Sequence, residues 1–570
     1  MRKRNLLTGA RVDGIVSETR LPGRAGRLLL GLGAVVVLVA GCSGQSDVQP
    51  GPPAAGASAA AIESGGIGTD LPAPSPTCVN APAGWSSREN AMTGTRDLPP
   101  GRAQAWKGPV VGYLDSSTAV CGQTLGVHLF SPKGDVPVRL RALRVGHYNG
   151  AGSRLVWQSP SLVAGAQHQA QPTGPDRVIR ESWPVTTRLT VDASWPPGFY
   201  LVEIAPLDPA ITPSFIPLVV RTSGVRSPYL VLVSELTWMA YNSYGGRSLY
   251  LGPGGDHEEE FANRSYVASA DRPLVGTGIQ QMFAMDLPLI RFLSQHNLAA
   301  DVTTDSSLDA QPSQIVGQRT VVIGGHAEYW TRRMYDAAVA ARDAGTNFAF
   351  LGGNEIYWQG RIERDESGRM TALTVFKDQN LDRHAENSPT TTTVKWADPP
   401  LSRDPASLVG QGMSVVGLRA TYVVAATPAW LFHGTGLSTG DQLPLAVGNE
   451  SDAQEPPGGS SPANLEVVLH AVGIGADTHK PSEVTAGYYS APSGAGVFSA
   501  GTTYWPCGLD ATCPKWDTPA QTSAALQALT LNILTAFAVR RAGSLHPSTG
   551  TPFQTTSQLA GQLPIGTPMR

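Results

Sequence analysis

Two stretches in the first third of the chain alternate apolar and polar positions with a period of two. Leu125, Val127 and Leu129 are spaced by polar or small residues, and Val138, Leu140 and Ala142 alternate with Arg139 and Arg141. This pattern predicts strands with one buried and one wet face. Further strands are predicted over 188–191, 199–204 and 216–221, with turn signals at Ser131-Pro-Lys-Gly134 and Trp195-Pro-Pro-Gly198 between strands. Short, evenly spaced strands predict an immunoglobulin-like β-sandwich over residues 85–225, with Trp85 the first residue able to anchor a core.

After Arg226 the pattern changes. The run Tyr229-Leu-Val-Leu-Val233 is continuously apolar, as in a strand buried on both faces. A helix is predicted over 286–296 and strands over 299–302, 320–323, 347–351 and 496–499. Thr331 is placed to cap a helix through Ala344, with Met334, Ala338 and Ala341 facing inward and Gly345 just past its end. A closing helix over 522–539 puts Leu526, Leu529, Ile533 and Phe537 on one face. Strands alternating with helices imply βαβ units, and so an α/β domain with a parallel sheet over 226–545. Residues 365–485, rich in Pro and Thr, read as an inserted β layer, and 546–570 as a flexible tail.

The N-terminus reads as an address. Residues 1–27 carry seven Arg or Lys, and a 14-residue apolar run, 28–41, ends in Val39-Ala-Gly-Cys42. A basic region, a short apolar region and small residues before a cleavage point make a secretory signal; a membrane span would need about 20 apolar residues. The ending resembles the bacterial lipobox, which predicts a signal peptide over 1–42, lipidation (palmitate) at Cys42 and anchoring on the extracytoplasmic face of the cell membrane. Residues 43–84 contain no aromatic residue and are rich in Ala, Gly, Pro and Ser, a disordered linker. Cys78, Cys121, Cys507 and Cys513 remain, an even number suited to two disulfides in an exported chain. The local loop Cys507-Gly-Leu-Asp-Ala-Thr-Cys513 can close on itself, which would leave Cys78 for Cys121; three connectivities are formally possible, and a zinc site is the alternative, although no histidine pair lies at matching spacing.

Composition narrows the function. A net charge of −3 from 42 basic and 45 acidic residues provides no electrostatic footprint for nucleic acid. In open α/β sheets ligands bind beyond the C-terminal strand ends. Three polar clusters fall there: Tyr241-Asn-Ser-Tyr244 to Tyr250, Gly325-His326-Ala-Glu328-Tyr-Trp330, and Gly353-Asn354-Glu-Ile-Tyr-Trp358. No Cys lies between Cys121 and Cys507, and no Gly-X-Ser-X-Gly elbow follows any strand predicted for the parallel sheet. Metal-assisted or acid–base chemistry, or no chemistry, is left.

At these clusters the chain resembles the large (β) subunit family of N,N-dimethylformamidase, in its C-terminal domain. The matching residues are Ala240-Tyr-Asn-Ser-Tyr-Gly-Gly-Arg-Ser-Leu-Tyr250, Asp271-Arg-Pro273, Gly325-His-Ala-Glu-Tyr-Trp330 and Gly352-Gly-Asn-Glu-Ile-Tyr-Trp358. The resemblance, over about 105–540, implies a glutamine amidotransferase-like (flavodoxin-like) α/β domain without its cysteine. It implies an iron ion (Fe3+) held by Tyr241, Glu328 and a second tyrosine, matched to Tyr250 with Tyr244 as the other candidate. His326 and Asn354 match neighbouring catalytic residues. The implied activity is hydrolysis of a linear amide C–N bond, with an oligomer or a small partner subunit. The resemblance also implies a further carboxylate from a late strand region; the stretch 487–498 has none, which predicts an altered site. The contrasting reading is a non-catalytic envelope lipoprotein that binds a glycan-like ligand or a partner.

Overall fold

The computed structural model of the chain describes residues 78, 79, 81, 84–95, 108–222, 226–511, 513 and 522–569. The signal, the lipobox with Cys42 and nearly all of the linker lie outside the described residues. Among the described residues no helix is long and apolar enough to cross a membrane. The architecture is mixed α/β with several sheets.

The first part carries a three-stranded and a six-stranded sheet. Leu125, Val127 and Leu129 of Thr124–Phe130 share one core with Val138 and Leu140 of Val136–Val145 and with Val202 and Leu218. The expected wet outer face holds only in part. Arg139 is exposed, but Leu143, Phe199, Leu201 and Val219 sit in one cluster with Tyr229, Val231 and Phe292 of the α/β part. The outer face of the six-stranded sheet is therefore a contact face, which is why Gly198–Pro206 is almost wholly buried instead of alternating. Cys78 is bonded to Cys121 and Cys507 to Cys513.

The main sheet has ten strands. Its parallel half runs Ala300–Thr304, Tyr229–Val233, Thr320–Gly325, Asn347–Gly352, Gly496–Ser499. Odd and even positions of Tyr229–Val233 enter two different cores, one on each side of the sheet, as its unbroken apolar run requires. Helix Arg332–Asp343 starts at Thr331, whose side chain accepts from Met334 N, and ends before Gly345 at φ 95°. Helix Ala524–Phe537 buries Leu526, Leu529, Ile533 and Phe537.

Three regions differ from the sequence expectation. The helix expected over 286–296 begins ten residues earlier, at Gly276, and passes through a widened π turn, Met282–Asp286, before Leu287–Gln295. Strands Gly412–Val424, Gln442–Ala453, Glu466–Ile474 and Pro481–Ser490 do not form a separate layer; they extend the parallel half edge to edge. Residues 546–569 are not a featureless tail: helix Thr556–Ala560 carries a capping box at Thr555 and Gln558, and Ile565–Pro568 pairs with Gly412–Val424 and Glu466–Ile474.

Candidate active site

The C-terminal ends of three adjacent parallel strands bring the polar clusters together. Tyr229–Val233 leads into helix Glu235–Tyr241, which ends on Tyr241. Thr320–Gly325 delivers His326 and Glu328, and Asn347–Gly352 delivers Asn354. The glycines are there for close approach. Gly325 has φ 64°, and a Cβ on it would strike Met285 in the π turn; a Cβ on Gly352 would strike Glu355 and the Gly325 carbonyl.

Tyr241, Tyr250, His326, Glu328 and Asn354 form one cluster. The Tyr241 and Tyr250 rings lie 4.7 Å apart, and Tyr241 lies 5.7 Å from the His326 ring. Tyr250 donates its hydroxyl to Glu328 Oε1. Tyr244 is elsewhere: it donates to Glu181 Oε1 at 2.9 Å, in an aromatic cluster with Tyr113, Phe130 and Trp183. The geometry thus favours Tyr250 over Tyr244 as companion of Tyr241.

A carboxylate that sequence reasoning missed completes the cluster. Glu450, from strand Gln442–Ala453, places Oε2 3.0 Å from His326 Nε2 and accepts from Asn354 Nδ2 at 2.6 Å. Its Oε1 accepts from Tyr241 at 3.3 Å. The altered site expected from the acid-free stretch 487–498 is corrected accordingly: a further carboxylate does reach the site, from a strand earlier in the chain. Its signal was two carboxylates two apart on one strand, Glu450 and Asp452, both buried; period two aims both at the same side. Asp452 Oδ1 accepts from Asn354 N at 2.8 Å, which holds Asn354 at φ 51°.

His326 Nδ1 faces Gln281 Oε1 at 3.2 Å while Nε2 faces two carboxylates, Glu450 at 3.0 Å and Glu328 at 3.6 Å. Acceptors at both nitrogens call for a proton on each. Burial alone would lower the imidazole pKa, but the attraction of Glu450 and Glu328 outweighs it and lifts it to about 9. Burial would likewise raise Glu450, yet His326, Asn354 and Tyr241 hold it below the usual carboxylate range. Glu328 goes the other way, because burial and the Glu450 charge exceed the pull of His326. Burial, then the Glu328 charge, pushes both Tyr241 and Tyr250 well above the ordinary phenol value.

Lys377 closes the other side. It is half-buried with its Nζ enclosed, has φ 62°, and sets Nζ 3.0 Å from the centre of the Tyr250 ring. Its loop is pinned by Asp382, whose carboxylate accepts from Arg361 at 2.6 and 2.9 Å and from Thr393 N and Oγ1, both at 2.8 Å. Burial is outweighed by these donors, and the carboxyl pKa falls from 3.8 to about 2. Asp382→Asn is expected to cost about 3 kcal/mol near neutrality, as for one partner removed from a buried pair. The folded pKa is depressed, so this stabilisation is present above the ordinary value and is lost as pH falls through about 2. Denaturant melts of both proteins should differ at pH 7 and converge toward pH 2.

The cluster fits a hard cation. His326, Glu328 and Glu450 each turn a potential ligand atom to a common point, all within 4.8 Å of one another. Glu328 Oε2 and Asn354 Oδ1 are buried without a hydrogen-bond partner among the described residues. Phenol and carboxylate oxygens are hard donors. The Tyr241 and Tyr250 phenols lie against the same group, Tyr241 toward Glu450 and Tyr250 toward Glu328.

Comparison with known families settles the kinship. The family model described as N,N-dimethylformamidase beta subunit-like, C-terminal, matches residues 139–518, about two-thirds of the chain. The chain belongs to that family. Every residue of the cluster lies within the dimethylformamidase beta-subunit-like match, Glu450 and Lys377 included. No curated protein was found to match the chain. A Gly-X-Ser-X-Gly string outside the expected strand ends, Gly436-Leu-Ser-Thr-Gly440, is no competing nucleophile site: Ser438 is exposed in a turn.

Proposed function

We propose that this member of the dimethylformamidase beta-subunit-like family is a hydrolase that cleaves a linear amide C–N bond at the Tyr241–Tyr250–Glu328 cluster, with Fe3+ as its metal. The observation that carries the reading is the buried His326–Glu450 ion pair set directly against two phenols and a second carboxylate. A protonated imidazole beside an ionised carboxylate is a general acid beside a general base.

Tyr241, Tyr250 and Glu328 would hold the metal, and loss of both phenolic protons on binding would overturn the upward shifts set by burial. A bound Fe3+ supplies Lewis acidity toward the amide carbonyl and lowers the pKa of a water. The remaining work falls to the chain. Glu450, kept ionised by His326 and oriented by Asn354, takes a proton from the attacking water. His326 Nε2 gives its proton to the departing nitrogen, and the Glu450 proton restores it. Water and amide become carboxylic acid and amine with no net proton held by the protein. Gln281 fixes the imidazole through Nδ1.

The fold reading extends the same way: a sandwich of immunoglobulin-like type ahead of a glutamine amidotransferase-like domain. Cys42 is proposed to carry the lipid that anchors the chain on the extracytoplasmic face, and a small subunit to join it, as the beta-subunit-like family description suggests. The test of the activity is amine release from a panel of secondary and tertiary amides by the iron-loaded chain. Release should occur for some members and drop at least about 100-fold in His326→Ala, the scale of a general acid. Equal release by His326→Ala would refute the assignment. The absence of release across the panel would favour the envelope-binding reading.

A further inference from the structure

On the antiparallel half of the main sheet, a cavity of about 520 Å³ opens between the strands Gln442–Ala453, Glu466–Ile474 and Pro481–Ser490 and the C-terminal segment that crosses them. We infer that this cavity binds a small organic cation carrying a primary ammonium group.

The argument starts at Glu483. The residue is only 8% exposed, lines the cavity, and its carboxyl has no hydrogen-bonding or charged partner among the described residues. A carboxylate removed from water without a partner is costly, and burial pushes Glu483 up to about 7. The other titratable group in the lining is His470, from which only burial acts, lowering its pKa. Among the described residues no Lys or Arg lines the cavity. The chain therefore presents an acceptor with nothing to accept from, in a half-open cavity that no cation lines among the described residues.

Ligand chemistry follows. An anion would meet Glu483 without compensation. A divalent metal would find one carboxylate and one imidazole, short of the three protein ligands that even an open metal site uses. An ammonium carries the missing charge and three donors. Glu483 can take one, and the amide oxygens of Gln442 and Gln454, in the same lining, can take the others. Val467 and Leu563 provide apolar wall for a short alkyl chain.

The test is isothermal titration calorimetry of the full chain with n-butylammonium and putrescine, and with 1-butanol as the uncharged comparison. The amines should bind with Kd at or below about 1 mM, and 1-butanol should show no binding. Glu483→Gln, nearly isosteric, should weaken the amines at least tenfold, and Gln442→Leu, on an exposed position, should weaken them without relying on a buried substitution. Glu450→Gln at the other site should leave the affinity unchanged. No heat with either amine, undiminished affinity in Glu483→Gln and Gln442→Leu, or loss in Glu450→Gln would each overturn the inference. The outcome is independent of amide hydrolysis, so either reading can fail alone.

Discussion

Glu328→Ala should strip the protein of most of its iron and abolish amide turnover. Glu328 is the carboxylate in contact with Tyr250, and its free Oε2 lies 3.6 Å from His326 Nε2. Removing it deletes an anionic ligand and leaves two phenols whose pKa values burial holds well above the ordinary value. Without the carboxylate these phenols have less to gain from a cation, because only two of three donors remain. The fold should survive, since the alanine relieves a buried charge. Metal analysis after iron-replete expression should show at least a tenfold loss relative to wild type, with a cooperative melt retained. Iron retained at the wild-type level would remove Glu328 from the donor set.

Glu450→Gln should separate chemistry from metal binding. The glutamine keeps the shape of Glu450 and can still bond Asn354 and Tyr241, but it cannot hold a water proton. It also withdraws the strongest partner of His326, so the imidazole pKa should fall from about 9. Losing the base and depleting the protonated form of His326 together should lower kcat at least about 10³-fold, within the range for acid–base groups. Iron content should change little. Steady-state amine release and metal analysis on one preparation test both halves. A kcat within tenfold of wild type would show that Glu450 only positions His326.

Much of the site was legible because parallel strands announce themselves. Tyr229–Val233, Thr320–Gly325 and Asn347–Gly352 are apolar runs ending in polar or Gly-Gly turns, and the switch from one to the other marks where strand ends converge. His326, Glu328 and Asn354 sit within three residues of those ends, and Tyr241 closes the short helix Glu235–Tyr241 that follows the first of them. Glu450 was hidden because its strand is antiparallel and the residue meets His326 across 124 positions of sequence. No local pattern encodes that pairing; only the burial of Glu450 and Asp452 on one strand hints at it. Lys377 was hidden for a related reason. It lies in a loop at positive φ and works through a ring face, not through a motif. The wet face assigned to the first strands failed because alternation reports one packed face and cannot report a second one supplied by Tyr229, Val231 and Phe292.

The most direct test is iron content and the visible spectrum of the purified chain. Tyrosinate bound to Fe3+ absorbs visible light by ligand-to-metal charge transfer, so a protein with Tyr241 and Tyr250 as ligands should be coloured and carry one iron per chain. Tyr241→Phe deletes one phenolic oxygen with the ring retained, and should lose much of both the band and the metal. A colourless, iron-free wild-type protein after iron-replete expression would contradict the metal site. So would a Tyr241→Phe variant with the band and the iron intact.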